Sequence, residues 1–145
     1  MNILITGSNG LLGQKLVYLL KDKSDIKCIA TARGDNRIIA KAGYQFESLD
    51  LTNKEEVYKI IQKYKPDCII HTAAMTNVDA CELNPEDCQK NNVDATQYIV
   101  DACANTKTHL IYISTDFVFD GTAGPYSEED QPNPLSIYAN AKLSS

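Results

Sequence analysis

The most constraining stretch of this sequence is Thr6-Gly7-Ser8-Asn9-Gly10-Leu11-Leu12-Gly13, where three glycines stand three residues apart between two apolar runs. Before it, Asn2 to Thr6 reads as a strand. After it, Leu11, Leu12, Leu16, Leu19 and Leu20 recur at helical spacing. A strand feeding a glycine turn feeding a helix has a physical meaning. Gly7 can take a tight turn that side chains resist, Gly10 lets backbone approach a ligand closely, and Gly13 lets the helix lie against the sheet. The helix start then offers free N–H groups and the positive end of its dipole, which suits phosphate. The chain must therefore open with a βα unit shaped for an anion, and a pyrophosphate-bridged dinucleotide fits that description.

The same alternation continues. Strand-like runs are expected at Lys27–Ala32, Tyr44–Ser48, Asp67–Thr72 and His109–Ser114, and helical runs at Gly10–Lys21, Asn53–Lys63 and Pro85–Ala104. Right-handed crossovers between such units predict an α/β fold, a doubly wound parallel sheet of the Rossmann kind with strand order 3-2-1-4-5. At 145 residues and 43% apolar content, one domain spanning residues 1–145 is expected. The net charge of -5 disfavours nucleic acid and anionic membrane as partners, since both need clustered Lys and Arg. No run approaches the roughly 18 to 20 apolar residues of a membrane span, and Met1 leads straight into a strand without a basic leader. A soluble cytoplasmic protein is the expectation. The five cysteines, Cys28, Cys68, Cys81, Cys88 and Cys103, are odd in number and lie mostly in apolar runs, as reduced core residues do. Cys81 and Cys88 have no His or further Cys at ligand spacing, so no metal site is expected.

The Gly-x-x-Gly-x-x-Gly spacing of Gly7, Gly10 and Gly13 resembles the extended short-chain dehydrogenase/reductase family. The cofactor set expected there includes Gly7, Asn9, Gly10, Leu11, Leu12 and Gly13. At the end of the second strand, where NAD enzymes of this fold place an acid for the ribose hydroxyl, the sequence reads Ala30-Thr31-Ala32-Arg33. Arg33, with Arg37 nearby, offers a planar fork of donors to a 2′-phosphate and points to NADP(H); Asp35 keeps NAD(H) open, as does reading Arg33 as a plain surface charge. The resemblance implies that Asp50 and Leu51 meet the adenine, with Thr52 or Asn53 also able to cap the next helix. His71-Thr72-Ala73-Ala74-Met75-Thr76 is similar to the family's Asn-Ala-Ala segment, which implies cofactor contacts from Ala73, Ala74, Met75 and Thr76. His71 departs from that pattern and is read as a core residue.

From Asp120 to Leu135, Gly121, Gly124, Pro125, Pro132 and Pro134 break all periodicity, so a long loop is expected beyond the fifth strand, either a substrate wall or a solvated excursion. Before it stands Ser114-Thr115-Asp116-Phe117; after it, Tyr138 and Lys142 are one helical turn apart. An ammonium beside a phenol favours the phenolate, drawing its pKa from about 10 toward working pH, while a Thr115 hydroxyl would steady a developing alkoxide. The chain is identified as similar to the dTDP-4-dehydrorhamnose reductase branch on Ser114 through Gly121, Pro125 through Asp130, and Pro134 through Lys142. That resemblance implies a nucleotide-sugar substrate whose 4-keto group Thr115 polarises, a proton from Tyr138, Lys142 on the nicotinamide ribose, and Asp116 at the sugar. It also implies a longer protein, with a C-terminal substrate domain absent from this chain, a terminal helix too short to be secure alone, and a homodimer left open. Two alternatives stand: an epimerase or dehydratase with tightly held NAD, disfavoured by Arg33 and by Phe117 where dehydratases carry Glu, and a nucleotide-binding regulatory subunit without turnover, disfavoured by the full Thr-Tyr-Lys set.

Overall fold

The computed structural model describes all residues, Met1–Ser145. Five strands, β1 Asn2–Thr6, β2 Lys27–Ala32, β3 Gln45–Ser48, β4 Cys68–His71 and β5 His109–Tyr112, form one sheet of order β3-β2-β1-β4-β5. Every pairing is parallel, and the register sets Thr6 of β1 opposite Thr31 of β2 and His71 of β4. The order reverses beside β1, between its neighbours β2 and β4. In open sheets that reversal splays the connecting loops apart and leaves a crevice at the carboxyl ends.

Six helices accompany the sheet: α1 Leu11–Leu20, α2 Lys54–Tyr64, α3 Val78–Leu83, α4 Pro85–Cys88, α5 Ala95–Cys103 and α6 Ile137–Ser144. Because strand side chains alternate, Leu4 faces one side and Ile3 and Ile5 the other. Leu4, Ile29 and Ile69 pack with Val57, Ile60 and Ile61 of α2 and Ile99 of α5. Ile3, Ile5, Cys28 and Ala30 pack with Val17 of α1 and Ile38. Helix α2 starts where Asn53 accepts from the N–H groups of Glu55 and Glu56, and ends at Lys65 in the left-handed region, φ 43°. Of the two capping residues anticipated there, Asn53 serves.

The expected elements are present, with shorter ends and two departures. Strands β4 and β5 stop at His71 and Tyr112 and β3 begins at Gln45, because pairing ceases there. The run Pro85–Ala104 is continuous but contains a π-helical turn, Gln89–Asp94, between α4 and α5. Helix α3 was not expected; Asn77 caps it by accepting from the Ala80 N–H at 2.8 Å, and six residues are too few to display a period. No helix is long and apolar enough to cross a membrane.

Candidate functional site

The loop after β1 is held close to the loop after β4. Gly7 sits at φ +67°, and a Cβ there would fall 2.6 Å from the Ala73 nitrogen. A Cβ on Gly13 would fall 2.3 Å from the Gly7 carbonyl oxygen, so α1 rests directly on the turn. The Gly10 N–H closes that turn on Gly7 O at 2.9 Å, and no side chain caps α1 at Gly10. The start of α1 therefore has no side-chain cap for its first N–H groups.

A cleft of about 500 Å³ opens over this turn, at the carboxyl ends of β1, β2 and β4. Of the expected cofactor residues, the structure brings Gly7, Asn9, Gly10, Arg33, Leu51, Ala73, Ala74 and Met75 to its wall, with Arg37 and Asn91 beside them. Leu11 and Leu12 turn their side chains to solvent, so only their backbone can serve. Gly13 lies buried behind the turn, and Thr76 and Asp50 stand outside the lining. Asp50 is engaged elsewhere: its Oδ1 accepts from Arg33 Nη2 at 3.1 Å and from the Thr52 N–H and hydroxyl. Burial opposes its ionisation, but Thr52 and Arg33 outweigh burial and hold the carboxyl below its ordinary range.

Arg33 Nη2 also donates to Asn91 Oδ1 at 3.0 Å, so the guanidinium is fixed at the wall with its side chain still 63% exposed. The Asn9 side chain joins the glycine turn to the segment after β2, donating to Asp35 O and accepting from the Arg37 N–H, each at 2.9 Å. Asn92, 2% exposed, grips the opposite wall: its Oδ1 accepts from the Met75 N–H at 2.7 Å and its Nδ2 donates to Met75 O at 3.1 Å. Asn91 and Asn92 escaped the sequence reading. Their signal was two adjacent asparagines, poor helix formers, inside a helical run, where the structure has its π-helical turn. His71 is the core residue anticipated, bonded to the hydroxyls of Thr6 at 2.6 Å and Thr96 at 3.1 Å. Burial, with Lys142 adding to it, pushes its pKa down to about 4.

Beyond the cleft, Ser136 caps α6 by accepting from the Ala139 N–H, and Glu82 Oε1 accepts from the Ile137 N–H at 2.7 Å. The structure brings Tyr138, Lys142 and Thr115 together. Tyr138 is 8% exposed, packed with Cys81, Cys88 and Ala141 and set edge-on to Phe117 at 6.4 Å. Thr115 stands beside the phenol, its own hydroxyl donating to Asp116 Oδ1 at 3.2 Å and accepting from the Phe117 N–H at 3.3 Å. Lys142, 4% exposed, donates to Ile113 O at 2.7 Å and stands 3.8 Å from the centre of the Tyr112 ring. Burial pushes its pKa down to about 8.

The Lys142 ammonium is not hydrogen-bonded to the Tyr138 phenol; it donates to Ile113 O and stands over the Tyr112 face. Tyr138 is accordingly held above the ordinary phenol range by burial, offset only partly by Thr115. Nor is α6 insecure: besides Glu82 and Lys142, the Ser145 hydroxyl donates to Asn92 O at 3.2 Å, which supplies the tertiary support a short helix needs.

Sheet order, glycine turn and crevice together define a Rossmann-like α/β domain of the extended short-chain dehydrogenase/reductase class. Within that class the chain belongs to the RmlD substrate binding domain family, whose model matches residues 1–145. It is 37% identical to a dTDP-4-dehydrorhamnose reductase of Aggregatibacter actinomycetemcomitans, over 97% of this chain and 44% of the relative. It is 40% identical to methionine adenosyltransferase 2 subunit beta of Bos taurus, over 97% of this chain and 40% of that protein. Among solved structures, UDP-glucose 4-epimerase from Brucella ovis in complex with NAD superposes with a TM-score of 0.86 at 25% identity, over 98% of this chain and 44% of that one. The chain thus spans less than half the length of these relatives.

Proposed function

We propose that this chain is the cofactor-binding part of an NAD(P)H-dependent reductase that acts on the 4-keto group of a nucleotide-linked deoxysugar. One observation carries the reading: Tyr138, a buried phenol, lies beside Thr115, with Phe117 of the turn after Thr115 set edge-on to its ring at 6.4 Å. The likeness to the A. actinomycetemcomitans reductase supports the substrate class. The residues present fit a dinucleotide, because the uncapped α1 and the side-chain-free Gly7 and Gly10 leave backbone N–H groups facing open space. When bound, the reduced nicotinamide supplies the hydride. The chain supplies the rest. Thr115 donates to the keto oxygen, and Tyr138, kept protonated by its burial, gives that oxygen its proton. Lys142, pinned by Ile113 O, holds the nicotinamide ribose, and Asp116 accepts from sugar hydroxyls. Arg33 and Arg37 at the wall favour the 2′-phosphate of NADP(H), and NAD(H), the ligand of the epimerase neighbour, is the alternative.

The test mixes the full-length protein with NADPH or NADH and dTDP-4-keto-6-deoxy-L-mannose and follows the reduced cofactor's absorbance. Steady oxidation that Tyr138→Phe abolishes, with cofactor affinity unchanged, is the expected result. Full activity in Tyr138→Phe would remove the proton-donor role. A second reading, a regulatory subunit that binds the nucleotide without turnover, is favoured by the likeness to methionine adenosyltransferase 2 subunit beta; binding without oxidation would select it. Product formed without net oxidation would select the epimerase chemistry instead.

A further inference from the structure

The loop between Asp120 and Leu135 is held by one carboxylate. Asp120 Oδ1 accepts from the Thr122 N–H at 2.9 Å, the Thr122 hydroxyl at 2.8 Å and the Tyr126 hydroxyl at 2.8 Å. Its Oδ2 accepts from Asn133 Nδ2 at 2.8 Å, and the Asn133 N–H reaches back to Val118 O at 2.9 Å. Tyr126 in turn lies flat on Phe119, ring centres 4.4 Å apart and planes 5° off parallel. Asp120 therefore clamps both stems of the loop: it lies five residues after Thr115, and its partner Asn133 lies five before Tyr138. Four neutral donors converge on this one group, which is more than a solvated excursion needs.

We infer that Asp120 is a positioning residue for the sugar: it presets the loop as a wall beside Thr115 and Asp116, so that the wall exists before the substrate arrives. The inference rests on the proposed reduction. It follows from the geometry of the stems, because the Asn133–Val118 link fixes the 3-10 turn Asp116–Val118 that begins directly after Thr115. Ordering such a loop at the moment of binding would otherwise weaken affinity for the substrate and leave the dinucleotide, bound on the far wall, untouched.

The pair Asp120 and Asn133 gives a reciprocal test. Asp120→Asn sets two amide groups face to face, and Asn133→Asp sets two carboxylates face to face. The double exchange, Asp120→Asn with Asn133→Asp, restores one donor against one acceptor. Each full-length variant is assayed for KM and kcat with the keto sugar, for the Kd of NADPH, and by calorimetry for the Kd of dTDP-L-rhamnose, the corresponding alcohol. Each single exchange should raise KM and the alcohol's Kd about tenfold. The Kd of NADPH should hold, and the double exchange should recover most of the loss. Unchanged sugar affinity in the single variants, equal losses of sugar and NADPH affinity, or a double variant no better than the singles would each overturn the clamp. A wild type that binds neither sugar nucleotide would overturn it together with the proposed reduction, whereas turnover with unaltered variants would overturn the clamp alone.

Discussion

Gly13→Ala and Gly10→Ala should separate folding from binding. An added Cβ at Gly13 would stand 2.3 Å from Gly7 O and 2.7 Å from the Ser8 Cα, where ordinary contact begins at 3.4 Å. Both neighbours are backbone of a tight turn, so α1 or the turn must move by about 1 Å; no side chain can swing aside. Two effects compete. Alanine inside a helix is favoured over glycine by about 1 kcal/mol, while overpacking typically costs about 1 to 3 kcal/mol, and rigid backbone places this site at the upper end. The net expectation is a loss of about 1 to 2 kcal/mol, read as a fall in Tm of about 2 to 8 °C for a protein of this size class. At Gly10 the added Cβ meets only Gly7 O, at 3.2 Å, so the fold should yield by a few tenths of an ångström. Its side chain would nevertheless stand at the cleft wall, where backbone now faces open space. Gly10→Ala should leave urea midpoints nearly unchanged and raise the dinucleotide Kd about tenfold, about 1.4 kcal/mol. A Gly13→Ala protein as stable as the wild type, or Gly10→Ala with unaltered affinity, would refute the account of the turn.

Three shorter expectations follow from the same structure. His71 has a folded pKa of about 4 against an ordinary 6.5, so between those values the unfolded chain binds more protons; stability should fall as pH drops through that window, by on the order of 3 kcal/mol in all, and urea titrations at pH 7, 6 and 5 should show a shallower fall in His71→Gln. Asn92→Ala removes both links to Met75 and strands its N–H, which should cost about 1 to 3 kcal/mol in chemical denaturation; equal stability would mean water replaces the side chain at once. Arg33→Ala should weaken NADPH binding at least about tenfold and NADH binding little, as calorimetry would report; equal losses for both cofactors would assign Arg33 to the adenine and not to the 2′-phosphate.

The local part of this architecture was legible in the chain. Glycines three apart after a strand require the turn that Gly7 adopts, and apolar periodicity located all five strands and the long helices, because period two and period 3.6 are set by neighbouring residues alone. His71 as a core residue and Asn53 as a cap were readable for the same reason. What the tertiary structure decided are matters of distance in space. Nothing in the sequence could say that Lys142 would meet Ile113 O and the Tyr112 ring and make no hydrogen bond to Tyr138, since a one-turn spacing places two side chains on one face without fixing where their ends point. Asp50 was drawn from the cleft wall by Arg33, and Asn91 and Asn92 reached both walls only because a π-helical turn and the crossover of the chain carry them there. Sequence periodicity thus determined which elements form, while the partners of each polar side chain were settled by packing, where the need to satisfy every buried donor and acceptor selects among many contacts of similar local merit.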